Sequence, residues 1–486
     1  MKKINLIILS LIGAMAVHAQ DYNDVLLYSQ SFSEGDARFM AMGGALSSLG
    51  GNIGAMSVNP ASSAVFKKSV IEFSPTYIYT KSENHYLGYD KAFTSLLKVP
   101  SFGLVGYKAL KANDVFISGL SFGFALNSQN RYSETIDYTG INNNSSLTDD
   151  FVRLANANPD KLDDQYTLLA YDSYLIDYAS GAKTYFSDFV DSLGNKSYGE
   201  FQDFTIERDG AKREILFNLG VDFSEYVFFG ANLSFSNFYY SETKFLTEKD
   251  KAGTKDFLDE FTYSTKREVE GTGIGGKFGL IVRPIEYIRI GGAIHTPVIN
   301  NINEDCDFVM NASYDQPINA KGDYYCDTAK YTTFDYKVGQ PAKFVGSLGF
   351  VYKNVVNIGV DLETMNYENC ELRSDLQSMT DPNKQITDEL QKVTNLKCGG
   401  EFRYGPFTFR AGYGMYGNPY KNIKVTHNTY SAGLGLATNT FYYDMAWMRS
   451  VSEQYNTLYT NLAGKDVTAN SKIKRDYIMF TLGIKF

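Results

Sequence analysis

Residues 476–486 constrain the fold of this chain more than any other stretch. Ile478, Phe480, Leu482, Ile484 and Phe486 fall on one face of a period-two pattern, and Tyr477, Met479, Thr481, Gly483 and Lys485 on the other. A repeat of two residues is the signature of a strand. One wholly apolar face is what a strand needs when it looks at lipid on one side and a lumen on the other. The other end of the chain gives the destination. Lys2 and Lys3 precede an apolar stretch, 4–17, too short for a span, and Val17-His18-Ala19 fits a small-x-small cleavage site. Residues 1–19 therefore read as a secretory leader. Losing its two lysines takes the formal charge from −9 to −11. An acidic chain lacks the basic footprint of a nucleic-acid binder.

No later run reaches the ~18 uncharged apolar residues of a membrane helix, yet the chain holds 37 Tyr and 34 Phe. A barrel accounts for both, because its apolar residues alternate with polar ones. The same alternation predicts fourteen strands, at 69–81, 99–110, 115–131, 212–223, 227–244, 262–283, 286–297, 340–352, 355–368, 394–404, 407–416, 427–438, 440–451 and 473–486. Short turns are expected at 111–114, 224–226, 284–285, 353–354, 405–406 and Asn439. Long polar loops are expected at 82–98, 132–211, 245–261, 298–339, 369–393, 417–426 and 452–472. Alternating short turns and long loops is the rule for an antiparallel barrel of the Gram-negative outer membrane. An even strand count puts both chain ends on the periplasmic side, and residues 69–486 form the transmembrane β-barrel. Pro100, Pro297 and Pro341 are expected near strand ends, where a missing N–H matters least. Glycines such as Gly103, Gly123, Gly291 and Gly433 fit a curved wall approached closely by other backbone. The apolar content of 147–178 predicts one or two short helices over the outer mouth.

Residues 20–68 do not read as strands. Small and apolar residues dominate, from Ala37-Arg38-Phe39-Met40-Ala41-Met42-Gly43-Gly44-Ala45 to Asn59-Pro60-Ala61. Such a segment could not cross lipid with its backbone unpaired, but it is tolerated inside a barrel. These two stretches resemble the N-terminal hatch of the FadL/TodX family of outer-membrane transporters, in a Bacteroidetes-like member. The segment 101–107 resembles the family's second strand, and fourteen is the family's strand count. The resemblance implies passive uptake of hydrophobic molecules such as long-chain fatty acids, with release through a lateral opening in the wall. It makes Gly43, Gly44, Asn59, Pro60 and Ala61 the hatch and gating residues. Separately, the terminal aromatic Phe486, preceded by the period-two alternation, resembles the assembly signal of outer-membrane barrels, read by the barrel-assembly machinery. The other partners expected are the hydrophobic ligands and outer-membrane lipid. An alternative is a PorV-like, secretion-associated barrel that binds protein cargo at its outer loops.

A carboxylate ligand would favour lumenal cations, and Arg289, Lys343, Arg403 and Arg410 lie inside predicted strands. Cys306 and Cys326 share one predicted loop, and Cys370 and Cys398 flank another, so two within-loop disulfides are expected in an oxidising compartment. Catalysis finds no support. His85, His295 and His427 lack metal-type spacing, and no Gly-x-Ser-x-Gly elbow occurs. Gly271-Thr272-Gly273-Ile274-Gly275-Gly276 lacks the strand–loop–helix setting of a nucleotide loop and reads as barrel wall. No metal, cofactor or enzyme activity is expected.

Overall fold

A computed structural model describes residues 22–486, apart from 33, 111–115, 191, 251–256, 319–322 and 377. The leader, 1–19, and the turn at 111–114 lie outside the described residues. The wall is a closed antiparallel barrel of fourteen strands. These are β1 (Val70–His85), β2 (Tyr89–Ala109), β3 (Ile117–Arg131, resuming as Glu134–Asn142), β4 (Glu200–Phe223) and β5 (Val227–Lys249). They continue with β6 (Leu258–Ile285), β7 (Ile288–His295 and Val298–Tyr314), β8 (Tyr325–Gln340 and Lys343–Tyr352) and β9 (Val356–Asn366 and Glu371–Arg373). The last five are β10 (Lys392–Tyr404), β11 (Phe407–Tyr416), β12 (His427–Ala437), β13 (Phe441–Thr460) and β14 (Asp466–Lys485). Each pairs with the next, and β14 pairs with β1 from Val70↔Lys485 to His85↔Asn470, which closes the ring.

The closing strand obeys its alternation. Phe480, Leu482 and Ile484 are exposed toward the lipid side, whereas Tyr477, Met479 and Thr481 are buried in the lumen. All fourteen expected strands are present. Most extend further at the loop end than their apolar alternation reaches. The expected loop 298–339 is largely a hairpin, Val298–Tyr314 against Tyr325–Gln340, and the expected loop 82–98 is mostly strand. Beyond the lipid belt a strand's outer face meets water, so residues such as Asn301, Asn303 and Asp305 occupy positions that apolar side chains fill lower down. The apolar half of the pattern survives only on the inner face, as Ile302, Cys306, Phe308, Met310 and Ala312.

That inner face packs under a cap. The helices α3 (Thr148–Ala157) and α4 (Thr167–Asp172) bury Phe151, Val152, Leu169 and Ala170 against Phe204, Phe261, Tyr263 and Met310. Of the one or two short helices expected over the mouth, two are present.

The expected disulfides are absent: all four cysteines are free. Cys326 pairs across the ladder with Ala312, six residues from Cys306, about 20 Å along a strand. A disulfide needs Cα atoms within about 7 Å. Cys398 lies opposite Val360, ten residues below Cys370, whose thiol instead faces the Ser29 hydroxyl at 3.6 Å. At the short-turn end Phe486 exchanges backbone bonds with Ser69, whereas Tyr22, the first described residue, packs on Tyr420 in a loop-end connection.

Candidate functional site

The segment 22–68 enters at the loop end as α1 (Tyr22–Ser29) and descends through α2 (Ala37–Ala41) and two 3-10 turns, Gly54–Ser57 and Pro60–Val65. Its sequence dictates a coiled path rather than a strand. Asp36 caps α2, accepting from the Phe39 amide at 3.0 Å, and its second oxygen accepts from Asn52 Nδ2 at 2.7 Å and the Gly54 amide at 3.1 Å. Gly43 and Gly44 then take positive φ, +62° and +78°, where a side chain would be strained. Asn59 is extended, as a residue before proline prefers, and Pro60 occupies the first position of the following turn.

Asn59 is fully buried with every polar group engaged. Its Nδ2 donates to Ser47 O at 2.8 Å and to Leu280 O of β6 at 3.3 Å, and its Oδ1 accepts from the Ala61 amide at 3.1 Å. Asn218 of β4 donates to Pro60 O at 2.9 Å. The Asn-Pro-Ala turn is therefore bolted both to the rest of the plug and to the wall.

Wall glycines make this seating possible. A Cβ at Gly230 would collide with the Pro60 carbonyl, at Gly279 with the Asn59 amide, at Gly359 with Ala45 O and at Gly412 with the Gly43 nitrogen. Backbone rests on backbone around the ring. Charge holds the rest. Arg38 Nε donates to Glu401 at 3.0 Å; Arg410 bridges Glu401 and Asp444 at 2.6 and 2.5 Å. Near the loop end Arg267 donates to Asp24 at 2.6 Å and to the Tyr28 hydroxyl at 2.8 Å, which clamps α1.

The wall is not uniformly sealed. The β2–β3 ladder stops at Ser101↔Asn127, although β2 continues against β1 up to His85↔Tyr89. Pro100 lies where the ladder ends and offers no N–H to extend it. Above this point β3 bends into the lumen, and residues 127–131 are all buried. Its freed edge is taken by the plug: Phe32 N donates to Gln129 O at 2.6 Å and Glu34 N to Ser128 O at 2.8 Å. The two sides meet again at Thr94 and Thr135, whose hydroxyls are 3.2 Å apart. Among the described residues no backbone hydrogen bond joins 95–100 to 128–133, which leaves a window in the ladder. Phe73, Tyr77, Leu97 and Val99, all exposed, place it within the apolar belt.

Of the cations expected to meet a ligand, Arg410 is locked between Glu401 and Asp444. Arg289 donates to Leu49 O of the plug, and Arg403 lies 3.8 Å from Glu401 near the short-turn end. Lys343 lines a cavity. Sequence reading missed Asp36, the Arg38–Glu401 pair and the Phe32–Glu34 bridge, whose partners lie far along the chain. Two cavities of about 40 and 80 Å³ lie in the lumen, with room for a few waters each.

No family model matches the sequence, and no curated protein matches it. The solved structures do. A Pseudomonas aeruginosa FadL homologue superposes with a TM-score of 0.55 at 13% identity, over 94% of this chain and 100% of that one. The chain has the FadL-type fold. The P. putida toluene transporter TodX superposes at 0.52 with 12% identity, over 93% of this chain and 98% of its own. At such identities the likeness is one of fold, an outer-membrane-type barrel.

Proposed function

We propose that this chain is a passive transporter for hydrophobic small molecules, long-chain fatty acids among them, and that cargo leaves sideways through the window between β2 and β3. The observation that carries the reading is the window itself, placed in the apolar belt and backed by the plug. Lateral release suits greasy cargo. Each CH₂ kept out of water is worth about 0.8 kcal/mol, so a long chain passes more readily into lipid than along an aqueous pore. The FadL-type fold and the toluene transporter of the same architecture support this class of cargo.

The hatch is residues 20–68, and Gly43, Gly44, Asn59, Pro60 and Ala61 are its gating elements. The plug fills the lumen and the cap covers its loop end, so cargo passes only when one of them moves. The Phe32–Glu34 bridge is the contact whose release opens the lumen to the window. Phe486, its ring exposed, serves the assembly machinery. Residue 486 and the short turns face the periplasm, and the cap faces outward.

One observation favours a second reading, a scaffold for protein cargo. Among the described residues, 325–336 of β8 pair only with β7, while β9 meets the segment Tyr325–Gln340 only at 337–339, so a backbone edge stands open at the loop end. Such an edge can accept an extended segment of another protein. Binding of labelled oleate and toluene to the purified chain separates the two. Transport predicts saturable binding that Asn59→Ala and Pro60→Ala alter. A chain that takes up neither ligand leaves only the scaffold.

A further inference from the structure

The outer surface of the barrel is not evenly charged. Above the apolar belt the outward positions of β6 and β7 are mostly acidic. Glu268 and Glu270 stand there beside Asp305 and Asp307, and Lys266, among them, is 3.1 Å from Glu268. Across the barrel the sign reverses. The outward rows of β13, β14, β1 and β2 carry Arg449, Lys474, Lys472, Lys81 and Lys91. Against them stand Asp476, Glu83 and Glu453, which leaves a formal excess of two positive charges. Period two dictates the placement. Arg449 continues the lipid-facing row of Met445 and Trp447, Lys474 that of Phe480 and Ile478, Lys81 that of Tyr77 and Tyr79, and Lys91 that of Leu97 and Phe93.

The ladder crowds these cations together. Lys81 is the cross-strand partner of Lys474, and Glu83 stands between Lys91 and Lys472. Like charges directly opposite one another destabilise a sheet. The acids present are already shared. Glu83 lies 2.7 Å from both Lys81 and Lys474. Asp476 accepts from Arg449 at 2.8 Å and from the Trp447 indole at 3.0 Å, and Glu453 accepts from the Thr426 hydroxyl at 2.9 Å. Lys472 and Lys91 have no ion pair among the described residues; Lys91 lies over the Tyr89 ring at 4.9 Å. The patch also has a definite height. Tyr79 and Trp447 lie immediately below it and Phe93 beside it, all exposed. Aromatic girdles mark the interface of a membrane barrel, and Trp447 is the chain's single tryptophan. An occupant therefore meets positive charge above and hydrocarbon below, which suits an anionic lipid of the membrane itself. An acidic protein segment would match the cations alone.

We propose that the outward face of β13, β14, β1 and β2 holds the phosphate head of a membrane lipid at Lys81, Lys91, Lys472 and Lys474, with its acyl chains running down over Phe93, Tyr77 and Ile478. This lipid is a resident of the wall, outside the lumen, and the inference stands whether or not the chain transports anything. Because β2 is also one rim of the window, the acyl chains border that opening.

Native mass spectrometry of the purified full chain, in a non-ionic detergent with EDTA, tests this with two probes. One is lipid A carrying its phosphates; the other is the same glycolipid with the phosphates removed. The phosphorylated form should bind at least tenfold more tightly, and raising the salt from about 50 to about 500 mM should erase most of that difference. Lys81→Gln with Lys474→Gln should weaken the phosphorylated form about tenfold and leave the dephosphorylated form unchanged. Lys91→Gln with Lys472→Gln, which breaks no ion pair, should do the same, and Lys266→Gln on the far wall should not. Heat-dependent gel mobility checks that each variant is folded. Equal affinity for the two glycolipids overturns the proposal, as does normal binding by either double variant. Inorganic phosphate that displaces lipid A at equal concentration assigns the patch to a free anion and overturns the role of the chains. Lipid-free dimers that the double variants lose assign the face to a second copy of the chain and overturn the proposal as well.

Discussion

Replacing Asn59 by alanine should loosen the plug without unfolding the barrel. The side chain has no exposed surface, and its three hydrogen bonds join two parts of the plug to each other and to β6. Alanine leaves Ser47 O and the Ala61 amide buried without their partners. Each such loss costs about 1–3 kcal/mol. Counting these two bonds and omitting the long one to Leu280, the seated plug should lose about 3 kcal/mol, or about two orders of magnitude in its local opening equilibrium. The wall contains hundreds of ladder bonds that do not involve Asn59, so its closure should persist. Hydrogen–deuterium exchange in detergent reads both quantities. Amides of 45–65 should exchange about 100-fold faster in the variant, while those of β13 and β14 keep their protection. Plug amides that stay within threefold of wild type, in a barrel that still shifts with heating on a gel, would refute the claim that Asn59 bolts the plug.

Two other perturbations follow from the same geometry. Gly230→Val places a side chain against the Pro60 carbonyl, an overpacking that costs about 1–3 kcal/mol or more; the plug should be displaced, and single channels in planar bilayers should show raised conductance where wild type is nearly closed. In the cap, burial raises the Asp149 carboxyl to about 6, partly offset by Tyr198, whose hydroxyl approaches its two oxygens at 2.9 and 3.1 Å. A carboxyl raised on folding favours the protonated form, so its charge penalises the cap above pH 6, and the penalty disappears as pH falls from 6 toward the unfolded value of about 3.9. Helix α3 should resist protease better at pH 5 than at pH 8, by about 1.4 kcal/mol from this carboxyl, and Asp149→Asn should remove that part of the difference.

How much of this was legible in the sequence depends on where lipid lies. Strand by strand, the lipid-facing alternation of residues such as Phe480, Leu482 and Ile484 located the barrel and its short turns, because lipid tolerates only apolar side chains on that face. Outside the belt the same strands continue with Asn303 and Asp305 facing water, and the signal fades although the ladder does not. The plug was legible for a similar reason: a run of small residues ending in Asn59-Pro60-Ala61 has no place except inside a protein wall. Glycines such as Gly103 and Gly433 pointed to close backbone approach, but not to which plug residue approaches. Pairings across the fold were not legible. Glu401 meets Arg38 across 363 positions, and only the closed barrel brings them together. The same limit explains the cysteines, since two thiols in one predicted loop proved to be six residues out of register on paired strands. Pro100, expected at a strand end, instead sits mid-strand, where the ladder to β3 stops; Pro297 and Pro341 were read as strand ends and mark a break within continuing strands.

The central claim is that a plugged barrel passes hydrophobic molecules sideways into the membrane while remaining closed to polar solutes. It is tested most directly by expressing the full chain in a Gram-negative host that lacks its own outer-membrane route for hydrophobic compounds. Accumulation of labelled oleate and toluene should rise severalfold over cells carrying an empty vector, with the permeation of a labelled trisaccharide unchanged. No gain for either hydrophobic compound, or an equal gain for the sugar, would contradict the account.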